Sequence, residues 1–183
     1  GICLSPICIS SCIRSHVRMF GQPFLASEFK TVMIQLLRGV AHLHHNWILH
    51  RDLKTSNLLI SHRGILKIAD FGIARMRSDL ETGQDFVTKV DQQMGTPQYM
   101  APEQQKDTAG VDHRADLYSL GVVFYEMLTG GLPLGRFDPP SETSGVDPRL
   151  DSVVFRTLEK QADKRYQSAG EVRTQVEGIA STP

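Results

Sequence analysis

Two short polar clusters carry residue types that can do chemistry. His50-Arg51-Asp52 is followed closely by Lys54 and Asn57, and Asp70-Phe71-Gly72 comes next. Between them lie two apolar runs, Leu58 to Ile60 and Ile65 to Ile68, separated by Ser61-His62-Arg63-Gly64. Runs of that length around a polar, Gly-containing turn read as a β-hairpin. A hairpin returns its second strand beside its first, so an acid, a base and an amide at its two ends converge. Asp52 and Asn57 are five residues apart on the loop before the hairpin, and Asp70 ends the returning strand. Asn57 and Asp70 can then hold a divalent cation between them. Hard oxygen ligands in small number suit Mg²⁺, with phosphates and water completing its shell. Asp52 is left to accept a proton from a hydroxyl.

Helices must carry that hairpin. Phe29, Met33, Leu36, Val40 and Leu43 recur at three and four residues, which predicts a helix with one buried face and Ser27 as its N-cap. Leu117 to Leu128 has a broad apolar stripe and predicts a central, mostly buried helix ending near Gly130-Gly131. Leu150 to Leu158 predicts a third helix. A fourth starts at Ser168, with Glu171 closing a capping box and Val172, Val176 and Ile179 on its face. Ala74 to Gln93 is polar and aperiodic, a loop long enough to be functional. Leu132 to Pro148 is Pro/Gly-rich and reads as irregular. The expected class is mainly α with a small β-hairpin.

The chain has 183 residues, 40% of them apolar and 22% charged, enough for one domain with a real core. Twenty basic side chains balance twenty acidic ones. A phosphate-gripping protein normally carries a basic excess, so nucleic acid is not expected as a partner. The sequence has no run of 18 apolar residues, hence no expected membrane span. Cys3, Cys8 and Cys12 sit at one end, in odd number, which makes no disulfide framework. Reduced thiols in a cytoplasmic protein are the reading. His42, His44 and His45 cluster at a predicted helix end, where they suit the helix dipole better than a metal.

The polar clusters resemble a known family. His50-Arg51-Asp52-Leu53-Lys54-Thr55-Ser56-Asn57 is similar to the catalytic loop H-R-D-L-x-x-x-N of eukaryotic-type (Hanks-type) serine/threonine protein kinases. Asp70-Phe71-Gly72 resembles their D-F-G, and Ala101-Pro102-Glu103 their A-P-E, in the right order and spacing. The first half, with His45-Asn46-Trp47-Ile48-Leu49, resembles the cyclin-dependent kinase group. Gly95 to Gln104 and Asp116 to Gly121 resemble bacterial Ser/Thr kinases. The resemblance implies the C-terminal (large) lobe of the protein-kinase-like α+β fold, with ATP and Mg²⁺ as cofactors and a Ser/Thr-bearing protein as substrate. It divides the chain into an unmatched segment 1–23, a kinase lobe 24–180 and a tail 181–183. Within the lobe, the catalytic loop is 50–57 and the activation segment 70–103.

Roles follow from the resemblance residue by residue. Asp52 is implied as catalytic base, Lys54 as the cation facing the transferred phosphoryl group, and Asn57 and Asp70 as Mg²⁺ ligands. Lys54 together with Thr96 is the Ser/Thr-specific pattern. Leu59 is implied as the floor under adenine, or else it is a plain hairpin core residue. His50 and Phe71 match members of the apolar spine, and Gly72 completes the metal-binding triplet. Asp116 is implied to accept backbone N–H groups of the catalytic loop, or to serve the helix dipole. Glu103 and Arg165 are implied as a buried ion pair, against a surface pair as the alternative. Thr88 is the preferred activating phosphosite, with Arg51 available for its phosphate and Ser78 and Thr82 next in line.

A complete member also has a smaller lobe with a Gly-rich loop and a strand lysine in V-A-I-K. Neither pattern occurs in this sequence. The expectation is therefore a fragment whose missing N-lobe is its main partner, inactive by itself. The rival expectation is an incompetent, pseudokinase-like binding module.

Overall fold

The computed structural model describes residues 9–12, 26–61, 63–70, 75–76, 96–106 and 110–180. Helices dominate. They are α1 (Ala26–His45), α2 (Pro102–Lys106), α3 (Arg114–Thr129), α4 (Pro140–Ser144), α5 (Arg149–Thr157) and α6 (Ala169–Ala180). Among the described residues five short strands accompany them: β1 (Ile9–Cys12), β2 (Ile48–Leu49), β3 (Leu58–Ser61), β4 (Leu66–Ile68) and β5 (Arg75–Met76). They form a three-stranded sheet in the order β1-β3-β4 and a separate β2-β5 pair, all antiparallel.

Helix α3 is the axis of the domain. Thirteen of its sixteen residues are buried, so it is covered all round rather than along one stripe. It ends where Gly130 takes φ 77° and donates its N–H to the Glu126 carbonyl at 2.8 Å. Helix α1 presents Phe29, Met33, Leu36, Leu37 and Val40 to the core, and Phe29 meets Phe124 of α3 edge-on at 6.3 Å. Helix α6 packs along α1 through Val172 and Val176. Its first turn is capped as its sequence implies, with one displacement. Ser168 Oγ accepts the Glu171 N–H, but the Glu171 carboxylate takes the N–H of Gln167, not of Ser168.

The hairpin pairs Leu58 with Ile68 and Ile60 with Leu66. Its turn is longer than two residues because Ile65, read as strand, stays in the turn and accepts the Ser61 N–H. Gly64 supplies the left-handed residue there, at φ 72°. Gln35 of α1 clamps the turn, donating to the Gly64 carbonyl and accepting the Leu66 N–H.

Three readings need correcting. Ser27 lies inside α1, one residue past its start, so it does not cap it. The 132–148 stretch contains α4, begun by Pro140 at its first position and tied down by Ser141 to Asp151. Arg75 and Met76, read as loop, form β5 against β2. A two-residue strand has too little sequence for periodicity to reveal it. The rest of the 74–93 loop lies outside the described residues, apart from these two.

Helices α3 and α5 approach so closely at Gly121 that a Cβ there would sit 2.5 Å from Thr157 Oγ1. The Gly121→Ala variant should lose about 1–3 kcal/mol by overpacking, measured by urea unfolding. Gly178→Ala, in α6 with no atom within 4 Å of its new Cβ, should lose nothing and gain up to about 1 kcal/mol.

Candidate active site

The site is assembled around a carboxylate that the buried axis helix carries in its first turn. Asp116 is 1% exposed. Its Oδ1 accepts the Arg51 N–H at 2.8 Å, and its Oδ2 accepts the His50 N–H at 2.9 Å and His44 Nε2 at 2.9 Å. A buried carboxylate needs such donors. The loop pays a conformational cost in return, because Arg51 is held at φ 64°, a left-handed state that costs a non-glycine residue about 1–2 kcal/mol. His44, read as a helix-end residue, does lie in the last turn of α1, and it is also the third donor to Asp116. Its position, six residues before His50, carries no periodic signal that would reveal this contact.

His50 is fully buried and ties the loop to the far end of the hairpin. Its Nε2 donates to the Ala69 carbonyl at 3.2 Å and its Nδ1 accepts the Asp52 N–H at 3.4 Å. That pair of bonds needs the proton on Nε2.

Asp52 is not left free. Its Oδ2 accepts from Lys54 Nζ at 2.6 Å and from Asn57 Nδ2 at 3.3 Å. Its Oδ1 accepts the Thr96 N–H at 3.1 Å and the Thr96 hydroxyl at 3.4 Å. Lys54 Nζ also donates to Thr96 Oγ1 at 3.0 Å. Asp52, Lys54 and Thr96 thus form a closed triangle joining the catalytic loop to the segment before α2. A hydroxyl placed here meets an oriented acceptor and an ammonium at once.

Asn57 donates from Nδ2 to the Asp52 carbonyl at 3.0 Å, which leaves Oδ1 as the acceptor end of the amide. The Ala69 N–H bonds the Asn57 carbonyl at 2.8 Å. The next residue, Asp70, is exposed at φ 60° at the open end of the hairpin. Asn57 Oδ1 and the Asp70 carboxylate are hard oxygen donors of the kind that could hold a Mg²⁺ ion together with phosphate and water ligands. Leu59 is half-buried and alternates with the fully buried Leu58, so it stands on the hairpin face away from the core. Phe71, Gly72 and Thr88 lie outside the described residues.

Two further buried charges brace the site. Glu126 of α3 accepts the Thr55 hydroxyl at 2.8 Å and the Tyr99 hydroxyl, joining the catalytic loop to the 97–99 turn. Sequence reading gives none of the three this role, because Glu126 stands in no motif, and Thr55 and Tyr99 fall inside motifs whose other residues carry the chemical signal. Arg165 meets Glu103 bidentately at 2.6 and 2.8 Å. Its remaining N–H groups reach the carbonyls of Glu159, Arg114 and Lys160, so all five guanidinium donors are used.

Burial of Glu103 works against its ionisation, but the Arg165 hydrogen bonds and charge outweigh that and hold its carboxyl below the ordinary 4.5. The lowered value means stability that is fully present above pH 4.5 and is lost as pH falls through the folded-state value. Glu103→Gln should therefore flatten the acid limb of a stability–pH curve. Removing either partner should cost about 3–5 kcal/mol, and a double-mutant cycle of Glu103→Ala with Arg165→Ala should be strongly non-additive. Additive losses in urea unfolding would show no coupling.

The protein kinase domain family matches residues 10–175. The match starts ahead of residue 24, where the lobe was read to begin. Human cyclin-dependent kinase 11B is 50% identical over 161 residues, 87% of this chain and 18% of that protein. The serine/threonine-protein kinase PknB of Mycolicibacterium smegmatis is 44% identical over 145 residues, 71% of this chain and 23% of that protein. Both kinds of likeness seen in the motifs are therefore present at the level of whole segments, and the chain spans about a fifth of the length of these two relatives. With the three motifs in order and the family matched along most of its length, the chain belongs to the protein kinase domain family.

Proposed function

We propose that this chain is the C-terminal lobe of a Ser/Thr protein kinase, and that within a complete kinase it transfers the γ-phosphoryl group of ATP to a Ser or Thr hydroxyl of a protein. The triangle of Asp52, Lys54 and Thr96 carries this reading. It offers an acceptor for the hydroxyl proton beside a cation for the phosphoryl oxygens. The same lysine and threonine favour Ser/Thr over Tyr as the acceptor.

In this reading Asp52 Oδ1 or Oδ2 takes the substrate hydroxyl as a hydrogen-bond donor in place of one Thr96 or Asn57 contact. It orients the oxygen for in-line attack and receives the proton as the new O–P bond forms and the bond from the γ-phosphorus to the β,γ-bridging oxygen breaks, with ADP as the leaving group. Lys54 swings little, because its ammonium already sits 2.6 Å from Asp52, where the transferred group arrives. Asn57 Oδ1 and Asp70 would hold Mg²⁺, which neutralises phosphate charge when bound. Leu59 would support adenine on the outer face of the hairpin. Positioning and electrostatics supply the rate, so a small displacement of this loop is costly.

In a complete kinase containing this lobe, Asp52→Asn should lower kcat by about 10²–10⁴-fold and leave KM for ATP within about threefold. Undiminished kcat would remove Asp52 from this role. The 183-residue chain alone should bind Mg²⁺-ATP weakly, since nucleotide sites usually bury about 70–90% of the ligand and the sequence has no Gly-rich loop to cover the phosphates. Calorimetric titration with Mg²⁺-ATP checks this. Micromolar binding with steady turnover on a basic protein would show the lobe to be self-sufficient.

A further inference from the structure

Asp116 holds only part of the catalytic loop's backbone. It takes the N–H groups of His50 and Arg51, which belong to the 49–50 and 50–51 peptides. The next peptide joins Arg51 to Asp52 and decides where the Asp52 side chain starts. Its N–H, on Asp52, meets His50 Nδ1 at 3.4 Å. Its carbonyl, on Arg51, accepts Gln104 Nε2 at 3.4 Å, from 53 residues along the chain. Both contacts are long for a peptide hydrogen bond, so neither is strong alone. They act on opposite edges of one rigid plane, and together they oppose its rotation. Rotation matters here because Arg51 stands at φ 64°, a sparsely populated state whose relaxation would turn this plane.

Gln104 is itself aimed. Its Oε1 accepts the Ala101 N–H at 2.9 Å. A backbone N–H is met by the oxygen end of an amide, so the nitrogen end faces the Arg51 carbonyl. The two bonds fix the amide's orientation and carry it from α2 to the catalytic loop. Helix α2 has only five residues and needs an anchor of its own. The neighbouring Glu103 supplies it, gripped bidentately by Arg165, which is 1% exposed. On a helix pinned by a buried guanidinium, a glutamine transmits a fixed position.

The 96–104 segment also reaches the loop elsewhere. Thr96 meets Asp52 and Lys54, and the Tyr99 hydroxyl stands 3.2 Å from that of Thr55. Those contacts are made to side chains of the loop, whereas Gln104 holds its main chain. Its bond therefore persists when a substrate hydroxyl displaces Thr96 from the Asp52 carboxylate.

We propose that Gln104 is a positioning residue for phosphoryl transfer: it holds the Arg51–Asp52 peptide while the Asp52 carboxylate exchanges Thr96 for the substrate hydroxyl. This role rests on the one proposed above for Asp52. Gln104 acts through Asp52 alone, so its loss falls on kcat and not on ATP binding.

Two variants separate the bonds. Gln104→Glu keeps an oxygen for the Ala101 N–H and turns a second oxygen, with no proton to give, toward the Arg51 carbonyl. Gln104→Met keeps the length of the side chain and makes neither bond. Gln, Glu and Met have similar helix propensities, so the variants leave that property of α2 nearly constant. Amide exchange in the 183-residue chain is the readout that needs no phosphoryl transfer. Exchange at Asp52 should quicken about threefold to tenfold in both variants, the range of one neutral hydrogen bond, while Leu120 in the middle of α3 stays unchanged. In a complete kinase containing this lobe, both variants should lower kcat about threefold to tenfold and leave KM for ATP within about twofold. Unaltered exchange at Asp52 in Gln104→Glu would overturn the grip on the peptide. Equal quickening at Asp52 and Leu120 would overturn it too, as the mark of a residue that merely stabilises the lobe. Local quickening with kcat unchanged would overturn the positioning role. A complete wild-type kinase that transfers no phosphate would instead sink the kinase reading, and with it the catalytic half of this proposal, while exchange at Asp52 would still decide the grip.

Discussion

One buried carboxylate sets the geometry of everything near the chemistry. Asp116 sits in the first turn of a helix that is buried along most of its length, and three N–H donors converge on its two oxygens. Two of those donors are consecutive backbone amides, so the carboxylate fixes the plane of a peptide and not merely the position of a side chain. That fixing keeps Arg51 left-handed. It also aims the next residue, Asp52, toward Lys54 and Thr96. Without the carboxylate the loop would relax toward an ordinary extended path, and the acid, the cation and the amide would lose their common focus. The cost of burying Asp116 is met by bonds that exist only when the loop is in place, so fold and site stand or fall together.

The same device recurs twice. Glu126 joins the catalytic loop to the 97–99 turn, and Arg165 joins α2 to the chain just before α6. Each buried polar group bridges segments that are distant in sequence. Arg165 and Glu103 are 62 residues apart, and Thr55 and Glu126 are 71. Apolar packing alone tolerates small sliding of helices, whereas hydrogen bonds from buried charges do not. The core gives the lobe its stability, and these three groups give it its register.

The helices were readable because their apolar spacing is strong. Met33, Leu36 and Val40 mark α1, and Leu117 through Leu128 mark α3 as buried on every side. The hairpin was readable from two apolar runs around Gly64. What escaped was short or polar. Strand β5 has only two residues and α4 only five, below the length at which a period can be counted. The polar partners escaped for a different reason. Asp52, Asn57 and Asp70 stand in a dense motif, but His44, Glu126 and Gln35 acquire their meaning only from residues far along the chain. A single helix reads His44 as a terminal charge and Gln35 as a solvent-facing amide. Only the folded chain supplies Asp116 to the one and the hairpin turn to the other.

Gln35 has a consequence beyond holding the turn. Among the described residues β4 is the outer strand of its sheet, and an outer strand offers unpaired amides to any other chain. The amide of Gln35 accepts the Leu66 N–H and donates to the Gly64 carbonyl, as a neighbouring peptide group would. A helix side chain therefore occupies the place at which a second molecule could add a strand. One glutamine thus answers, at Gly64 and Leu66, the edge groups that a further strand would otherwise pair.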